Sequence, residues 1–208
     1  MDNDLLQADA RSGSRMPIAS VTLYWIPLGS GQSVVRGSGK VFEAISAWIQ
    51  RRRPCDLYHS ALAVVGPDGR FVIEMAPIPD LHGERRGVVA EGSVGATWAG
   101  RCRLFRYEIR RWRAGVIPDE GEATSTVTMD VDPACAQRLL DLVPLVPTPV
   151  WGRDELDTGD MWNSNSVTSW LLTHSGVDTA QIEPPRGGRA AGWSAGRVVA
   201  TRDPVHAE

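Results

Sequence analysis

The chain has 208 residues, 42% of them hydrophobic and 23% charged, with a formal net charge of -3 at pH 7. That length suits a single domain with a substantial core. The small negative net charge gives no electrostatic reason to expect nucleic acid or an anionic membrane as the main partner. No apolar run approaches the length of a transmembrane helix, and the polar, acidic N-terminus differs from a secretory signal. The sequence therefore predicts a cytoplasmic protein.

The three cysteines, Cys55, Cys102 and Cys135, are far apart and show no C-x-x-C spacing. An odd, widely spaced set fits neither a disulfide framework nor a thiolate zinc site. The pattern predicts reduced structural thiols, and the sequence as a whole predicts neither a metal nor another cofactor.

The first part of the chain predicts an arm, a strand and a helix. Residues 1–18 are polar and poor in aromatic side chains, which predicts a flexible N-terminal arm. A single domain is predicted over residues 19–201 and a C-terminal tail over 202–208. Ser20–Leu28 has the composition of a strand, and a Gly/Ser loop ending at Lys40 leads into a run with helical spacing.

A strand, a glycine-rich loop and a helix in this order raise the question of a phosphate-binding loop. The motif "GSGK" ends at Lys40 but is followed by Val41, so the hydroxyl that would ligate magnesium is missing. A flexible connection is the better interpretation.

The rest of the chain predicts an α+β domain. Leu57–Pro77 is the clearest hairpin, with two β-rich runs around a Gly-Pro-Asp-Gly turn. Asp132–Val143 is predicted to be a helix, with Asp at the N-cap and Pro at the first helical position. Residues 184–200 are predicted to be a loop that closes with a short strand. Mostly antiparallel strands with a few separate helices indicate the α+β class. Further strands are predicted within residues 86–92, 101–112 and 124–131.

The hairpin carries a histidine and a carboxylate on one face. Side chains alternate along a strand, so the turn decides which residues share a face. With Gly66 opposite Gly69, one face is apolar, and the other carries His59 and Glu74 as diagonal neighbours within side-chain reach. A carboxylate bonded to one imidazole nitrogen leaves the other able to accept a nucleophile's proton. The pair is a candidate half of a triad, although the spacing also fits a solvated polar face.

A candidate nucleophile lies in Gly159–Gly176, where small polar residues precede a helical pattern that ends at glycine. With Asn163 as N-cap, Ser164 falls in the first turn, where free N–H groups and the helix dipole favour an activated oxygen and an oxyanion. Serine needs a base, and His59 is the best candidate because His174 lies on the apolar stripe of the same helix. Helix capping alone is the competing interpretation.

The stretches "YHSALAVV", "FVIEM" and "NSNSVTSWLL", in this order, resemble the circularly permuted papain-like superfamily. This superfamily includes the permuted NlpC-type amidases, the YiiX-like branch and the lecithin:retinol acyltransferase-like proteins. In its members a His-bearing strand precedes the nucleophile helix. The resemblance covers roughly residues 55–176 and depends on the order and spacing of the motifs.

The resemblance implies an α+β fold in which an antiparallel sheet packs against the nucleophile-bearing helix. By position, Ser164 is the nucleophile, His59 is the base and Glu74 orients it. Apart from the resemblance, the backbone N–H of Ser164 is predicted to stabilise the oxyanion, and Asn163 and Asn165 are predicted to have oxyanion or positioning roles. The usual nucleophile of the family is cysteine, and serine in its place is less ionised and needs a well-aligned base. The motif "NSNSV" is similar to that of a serine-bearing branch.

The leading functional prediction is acyl transfer at an amide or ester of a small-molecule or peptide substrate, by hydrolysis or by transfer to an amine. Trp162, Trp151 and Trp98 are predicted to form walls of the cleft. The alternative is a papain-like scaffold that binds an acyl or peptide ligand without chemistry. The acidic loop at residues 154–160 matches no calcium-loop template, so a solvated loop is predicted there in preference to a metal site. The oligomeric state is left open.

Overall fold

The computed structural model of the chain describes residues 19–28, 55–78, 87–117 and 120–202. The predicted arm, the glycine-rich loop with its following helical pattern, and the last residues of the predicted tail lie outside the described residues. Within the described part, a largely antiparallel sheet and three α-helices give the α+β content that the sequence predicts.

The sheet of the described residues has seven strands: β1 (Ala19–Pro27), β2 (Asp56–Gly66), β3 (Gly69–Pro77), β4 (Val88–Ser93), β5 (Arg106–Arg113), β6 (Ser125–Val131) and β7 (Gly188–Arg189). In space the order is β4-β5-β3-β2-β1-β6, with antiparallel neighbours, while β7 pairs in parallel with β2. The strands predicted up to residue 131 are all present, but the short strand predicted to close residues 184–200 is not, because a helix occupies that end of the stretch. However, β5 begins at Arg106 and not at residue 101, because two short 3₁₀ turns precede it.

The three described α-helices are α1 (Pro133–Leu142), α2 (Ser164–Ser175) and α3 (Trp193–Arg202). Helix α1 starts as predicted, because the Asp132 side chain accepts the N–H of Cys135 over 2.8 Å. Helix α2 ends as predicted at Gly176, whose φ of 93° is in the left-handed region that glycine favours. None of the helices in the described part is long and apolar enough to cross a membrane.

The register of the hairpin is the one that its turn predicts, with Gly66 opposite Gly69. Strands β1 and β2 also pair without a register shift along their shared length. Alternation along β2 therefore places Tyr58 on the face that the helices cover, where it joins the main core. It places His59 on the opposite face together with its cross-strand partner Ile26.

The main core lies between the helices and one face of the sheet. The rings of Trp25 and Trp193 meet there with centroids 5.0 Å apart, which joins β1 to α3. Each fully buried large apolar side chain contributes roughly 1.5–3 kcal/mol to stability. The opposite face is also partly apolar and carries a smaller buried cluster of Ile26, Ala61, Val72 and Ile117.

The prediction of a loop over residues 184–200 is wrong at its end, where α3 begins at Trp193. The glycines of this stretch are typical of a loop. Gly196, however, lies where α3 meets α2, and a Cβ there would stand 2.0 Å from the carbonyl oxygen of Ser166 and 2.2 Å from Oγ of Ser169. This glycine allows the two helices to touch, so it serves packing and not flexibility.

Candidate active site

The N-terminus of α2 is closed by reciprocal hydrogen bonds. The Asn163 Oδ1 atom accepts the N–H of Asn165 over 2.9 Å and that of Ser166 over 3.4 Å. In return, Oγ of Ser166 accepts the N–H of Asn163 over 3.1 Å. Such a capping box stabilises a helix by about 1 kcal/mol. Helix capping is therefore present in this stretch, and it is performed by Asn163 and Ser166.

Ser164 takes no part in this capping arrangement. It is buried, with 4% of its surface exposed. Within the described residues neither its backbone N–H nor its Oγ has a hydrogen-bond partner. The first residue of a helix has no intrahelical acceptor for its N–H, and the helix dipole is positive at this end. Ser164 thus presents a hydroxyl and a backbone donor together.

The two asparagines that flank Ser164 differ in how many of their side-chain amide hydrogens already have an acceptor. Nδ2 of Asn165 donates to the carbonyl of Tyr58 over 2.9 Å and to that of Ala191 over 2.8 Å, which occupies both amide hydrogens. Nδ2 of Asn163 donates once, to Ala191 over 2.8 Å. Of these two side chains, Asn163 has one amide hydrogen without an acceptor among the described residues, whereas Asn165 links α2 to β2 and to the loop before α3.

His59 is the predicted base of this site. It is half-buried on β2, opposite Ile26 of β1. Desolvation of the charged imidazolium lowers the pKa of His59 from 6.5 to about 4. The ring is therefore neutral near pH 7, which is the form that can accept a proton, although the low pKa also makes it a weak base.

Glu74, which the sequence predicts to orient His59, lies on β3 opposite Arg110 of β5. The Arg110 guanidinium forms a buried ion pair with Glu108, with N–O distances of 2.9 and 3.1 Å. Within the described residues, no hydrogen bond or ion pair joins Glu74 to His59. The structure therefore shows no bond between these two side chains, and the orienting role of Glu74 stays a prediction.

A pocket of about 470 Å³ opens at the N-terminus of α2. Asn163, Ser164 and Asn165 line it together with His59 and Trp151. Elements distant in sequence thus converge on the predicted nucleophile. The remaining wall is mainly apolar and includes Leu28, Leu57, Pro77, Val94, Leu104 and Met161.

The three tryptophans predicted as cleft walls have different environments. Trp151 lines the pocket, and its ring packs edge-on against Tyr107 with centroids 5.7 Å apart. Trp162 is buried in the main core, and Trp98 is 77% exposed. Within the described part of the chain, neither of these two lines the pocket. Sequence alone could not separate them, because residue type does not report position relative to a cavity.

The acidic loop at residues 154–160 has structural hydrogen bonds. The carboxylate of Asp154 accepts two backbone N–H groups of its own loop over 2.7 and 2.8 Å. The carboxylate of Asp160 accepts the N–H of Gly192 over 2.8 Å, directly before α3. Among the residues that the structure describes, no group of His, Cys, Asp and Glu could hold a metal ion.

Sequence reasoning missed the carbonyl groups that position the site. Those of Tyr58 and Ala191 lie 107 and 26 residues from Asn165 along the chain, so no local pattern connects them. His174 is predicted to be a packed core histidine. Its ring does pack against that of Trp170 on α2, with centroids 4.3 Å apart, but the residue is only partly buried.

No protein-family model, curated protein or solved structure matches the chain. The likeness to the permuted papain-like superfamily therefore depends on the three quoted sequence motifs.

Proposed function

We propose that the protein is an acyl-transfer enzyme acting on an amide or ester of a small molecule or peptide. One observation carries the proposal: Ser164 and His59 line the same pocket. The backbone N–H of Ser164 also has no acceptor among the described residues. A nucleophile, a neutral base and oxyanion donors around one cavity are the groups that acyl transfer requires.

In the proposed reaction, Oγ of Ser164 attacks the acyl carbonyl carbon and passes its proton to His59. The N–H of Ser164 and the remaining amide hydrogen of Asn163 stabilise the oxyanion. His59 then returns the proton to the leaving amine or alcohol as its bond to the carbonyl carbon breaks. Water or an amine finally attacks the acyl carbon and passes a proton to His59, which returns it to Oγ of Ser164 as the bond between Oγ and the acyl carbon breaks. Each oxyanion donor typically contributes about 10²–10³ to the rate.

We propose in addition that the fold is of the permuted papain-like type. Two features support this. The His-bearing strand β2 precedes the serine-bearing helix α2 in the chain, which is the order that the motifs imply. Helix α2 also packs against a largely antiparallel sheet. In this interpretation Ser164 takes the position of the usual cysteine.

Covalent labelling with a fluorophosphonate, which reacts with activated serine hydroxyls, tests the assignment. The expected adduct maps to Ser164 by peptide mass spectrometry and is lost in Ser164→Ala. His59→Asn is expected to slow labelling by about 10²-fold or more. Ser194→Ala is the matched control, because Ser194 is an exposed serine whose hydroxyl donates to the Asp160 carboxylate over 3.0 Å. Labelling that persists in Ser164→Ala would overturn the assignment.

A binding protein on the same scaffold is the second candidate. Strand alternation directs His59 to the sheet face away from the helices, and within the described residues no carboxylate contacts its ring. If this candidate is correct, an acyl or peptide ligand binds in the pocket without an adduct. Calorimetry would then show affinity that Ser164→Ala leaves unchanged and Trp151→Ala weakens.

A further inference from the structure

A short segment beside the pocket exposes large apolar side chains. Trp98 is 77% exposed, Leu104 66% and Phe105 47%. Single exposed apolar residues are ordinary on a protein surface, but here three lie on two consecutive 3₁₀ turns. We call Trp98–Phe105 the apolar tip.

The apolar tip is also cationic. Arg101 and Arg103 are exposed, and neither forms an ion pair with any described residue. The tip contains no acidic residue, so its local charge is opposite to the net charge of -3 of the chain. Aromatic and aliphatic side chains interleaved with arginine are typical of segments that bind at the interface of an anionic bilayer.

The fold holds the backbone of the apolar tip in place. Ala99 and Gly100, near its start, are buried. A Cβ at Gly100 would stand 2.1 Å from Oγ of Ser93 at the end of β4. Arg106 also donates from Nε to the Gly100 carbonyl over 2.8 Å. The turns are thus fixed against the sheet while the large side chains stay in solvent.

The apolar surface continues from the tip into the pocket. Leu104 belongs to both, and Val94 and Gly95 extend the lining beside it. A bilayer surface accepts apolar side chains that protrude separately. Arginine guanidinium groups beside them can contact the lipid phosphates. A protein partner would instead need a cavity shaped for each side chain, so the observations favour a membrane.

We propose that the apolar tip docks the protein onto a bilayer that contains anionic lipid. Trp98, Leu104 and Phe105 enter the headgroup region, and Arg101 and Arg103 contact lipid phosphates. The mouth of the pocket then faces the membrane surface. This docking is independent of the proposed acyl transfer, because it does not use Ser164.

Co-sedimentation of the full chain with vesicles tests the proposal. Binding is expected to vesicles of equal parts phosphatidylcholine and phosphatidylserine, and the double substitution Trp98→Ser with Leu104→Ser is expected to weaken it about 10-fold or more. The double substitution Arg101→Gln with Arg103→Gln is expected to remove the preference for mixed vesicles over vesicles of phosphatidylcholine alone. The matched control is Val116→Ser with Leu145→Ser, which alters residues that are 65% and 61% exposed outside the tip and is expected to bind as the unchanged chain does.

Cys102 provides a second measurement that needs no substitution, because it is exposed inside the tip while Cys55 is partly buried and Cys135 is buried, and peptide mass spectrometry separates the three thiols. Mixed vesicles are expected to slow its reaction with a maleimide several-fold, and vesicles of phosphatidylcholine alone are not. Three results would overturn the proposal. The first is that mixed vesicles neither bind the protein nor protect Cys102, and the second is that the control substitutions weaken binding as much as those in the tip. The third is that sedimentation velocity shows a dimer without lipid and that this dimer protects Cys102. Vesicle binding by Ser164→Ala separates docking from catalysis.

Discussion

Asn163 and Asn165 donate their side-chain amides to one acceptor, the carbonyl of Ala191, each over 2.8 Å. A carbonyl oxygen has two lone pairs and can accept both. The loop before α3 is thereby hydrogen-bonded to the residue before Ser164 and to the residue after it. Oxyanion donors act best when they are fixed before the reaction, and this arrangement fixes the backbone that supplies one of them.

Asn165→Ala is expected to lower the free energy of unfolding by roughly 1–3 kcal/mol, because it removes two buried hydrogen bonds. Urea denaturation followed by fluorescence measures the change. Gln137→Ala is the control, since the Gln137 amide donates to Asp141 over 2.9 Å on the exposed side of α1. A loss for Asn165→Ala as small as that of the control would contradict the role of Asn165 as a connection between α2, β2 and the loop before α3.

Asn163→Ser tests the oxyanion role without removing the helix cap, because a serine hydroxyl also accepts the N–H groups of the first turn. We expect labelling of Ser164 to slow by about 10²-fold while the free energy of unfolding changes by about 1 kcal/mol or less. Labelling kinetics and urea denaturation on the same sample measure the two effects. An unchanged labelling rate would place the second oxyanion donor elsewhere.

The pKa of His59 predicts how stability depends on pH. Burial lowers it from 6.5 to about 4, so the unfolded chain binds this proton at a higher pH than the folded chain does. The contribution of neutral His59 to stability is complete above pH 6.5 and is lost as pH falls towards 4. Across this interval, the free energy of unfolding of His59→Asn should fall less steeply than that of the unchanged chain. Equal slopes in urea denaturation would refute a buried neutral histidine.

Gly196→Ala is expected to destabilise the protein by about 1–3 kcal/mol, although alanine favours helices. The new Cβ would stand 2.0 Å from the carbonyl oxygen of Ser166. Gly121→Ala is the control, because a Cβ there has no atom within 4 Å. Thermal unfolding of both variants gives the comparison. Stabilisation by Gly196→Ala would show that α3 can move away from α2 at little cost.

The elements that a nearby cap or turn residue defines could be predicted from the sequence. Helix α2 begins at a polar cap, Asn163, and ends at Gly176, and both signals lie within the helix's own stretch. The hairpin register likewise follows from its turn. Helix α3 was missed because the sequence does not distinguish a glycine that allows close helix packing from one that makes a loop flexible.

The site was only partly predictable, because its geometry depends on contacts between distant segments. The diagonal relation of His59 and Glu74 assumes that β2 and β3 stay paired, but their pairing ends at Leu62 and Ile73. Beyond that point β3 continues beside β5 alone, where Glu74 faces Arg110. No pattern within the hairpin could have indicated this change of neighbours.

The bonds from Asp160 to Gly192 and from both asparagines to Ala191 affect the order in which the site can form. The start of α2 and its preceding loop make these hydrogen bonds only when residues 191 and 192 lie against them. During synthesis, a chain that has reached α2 but not this segment has the serine but lacks the carbonyl that fixes its neighbours. The site is therefore completed late, after β2, β3 and α2 have all been made.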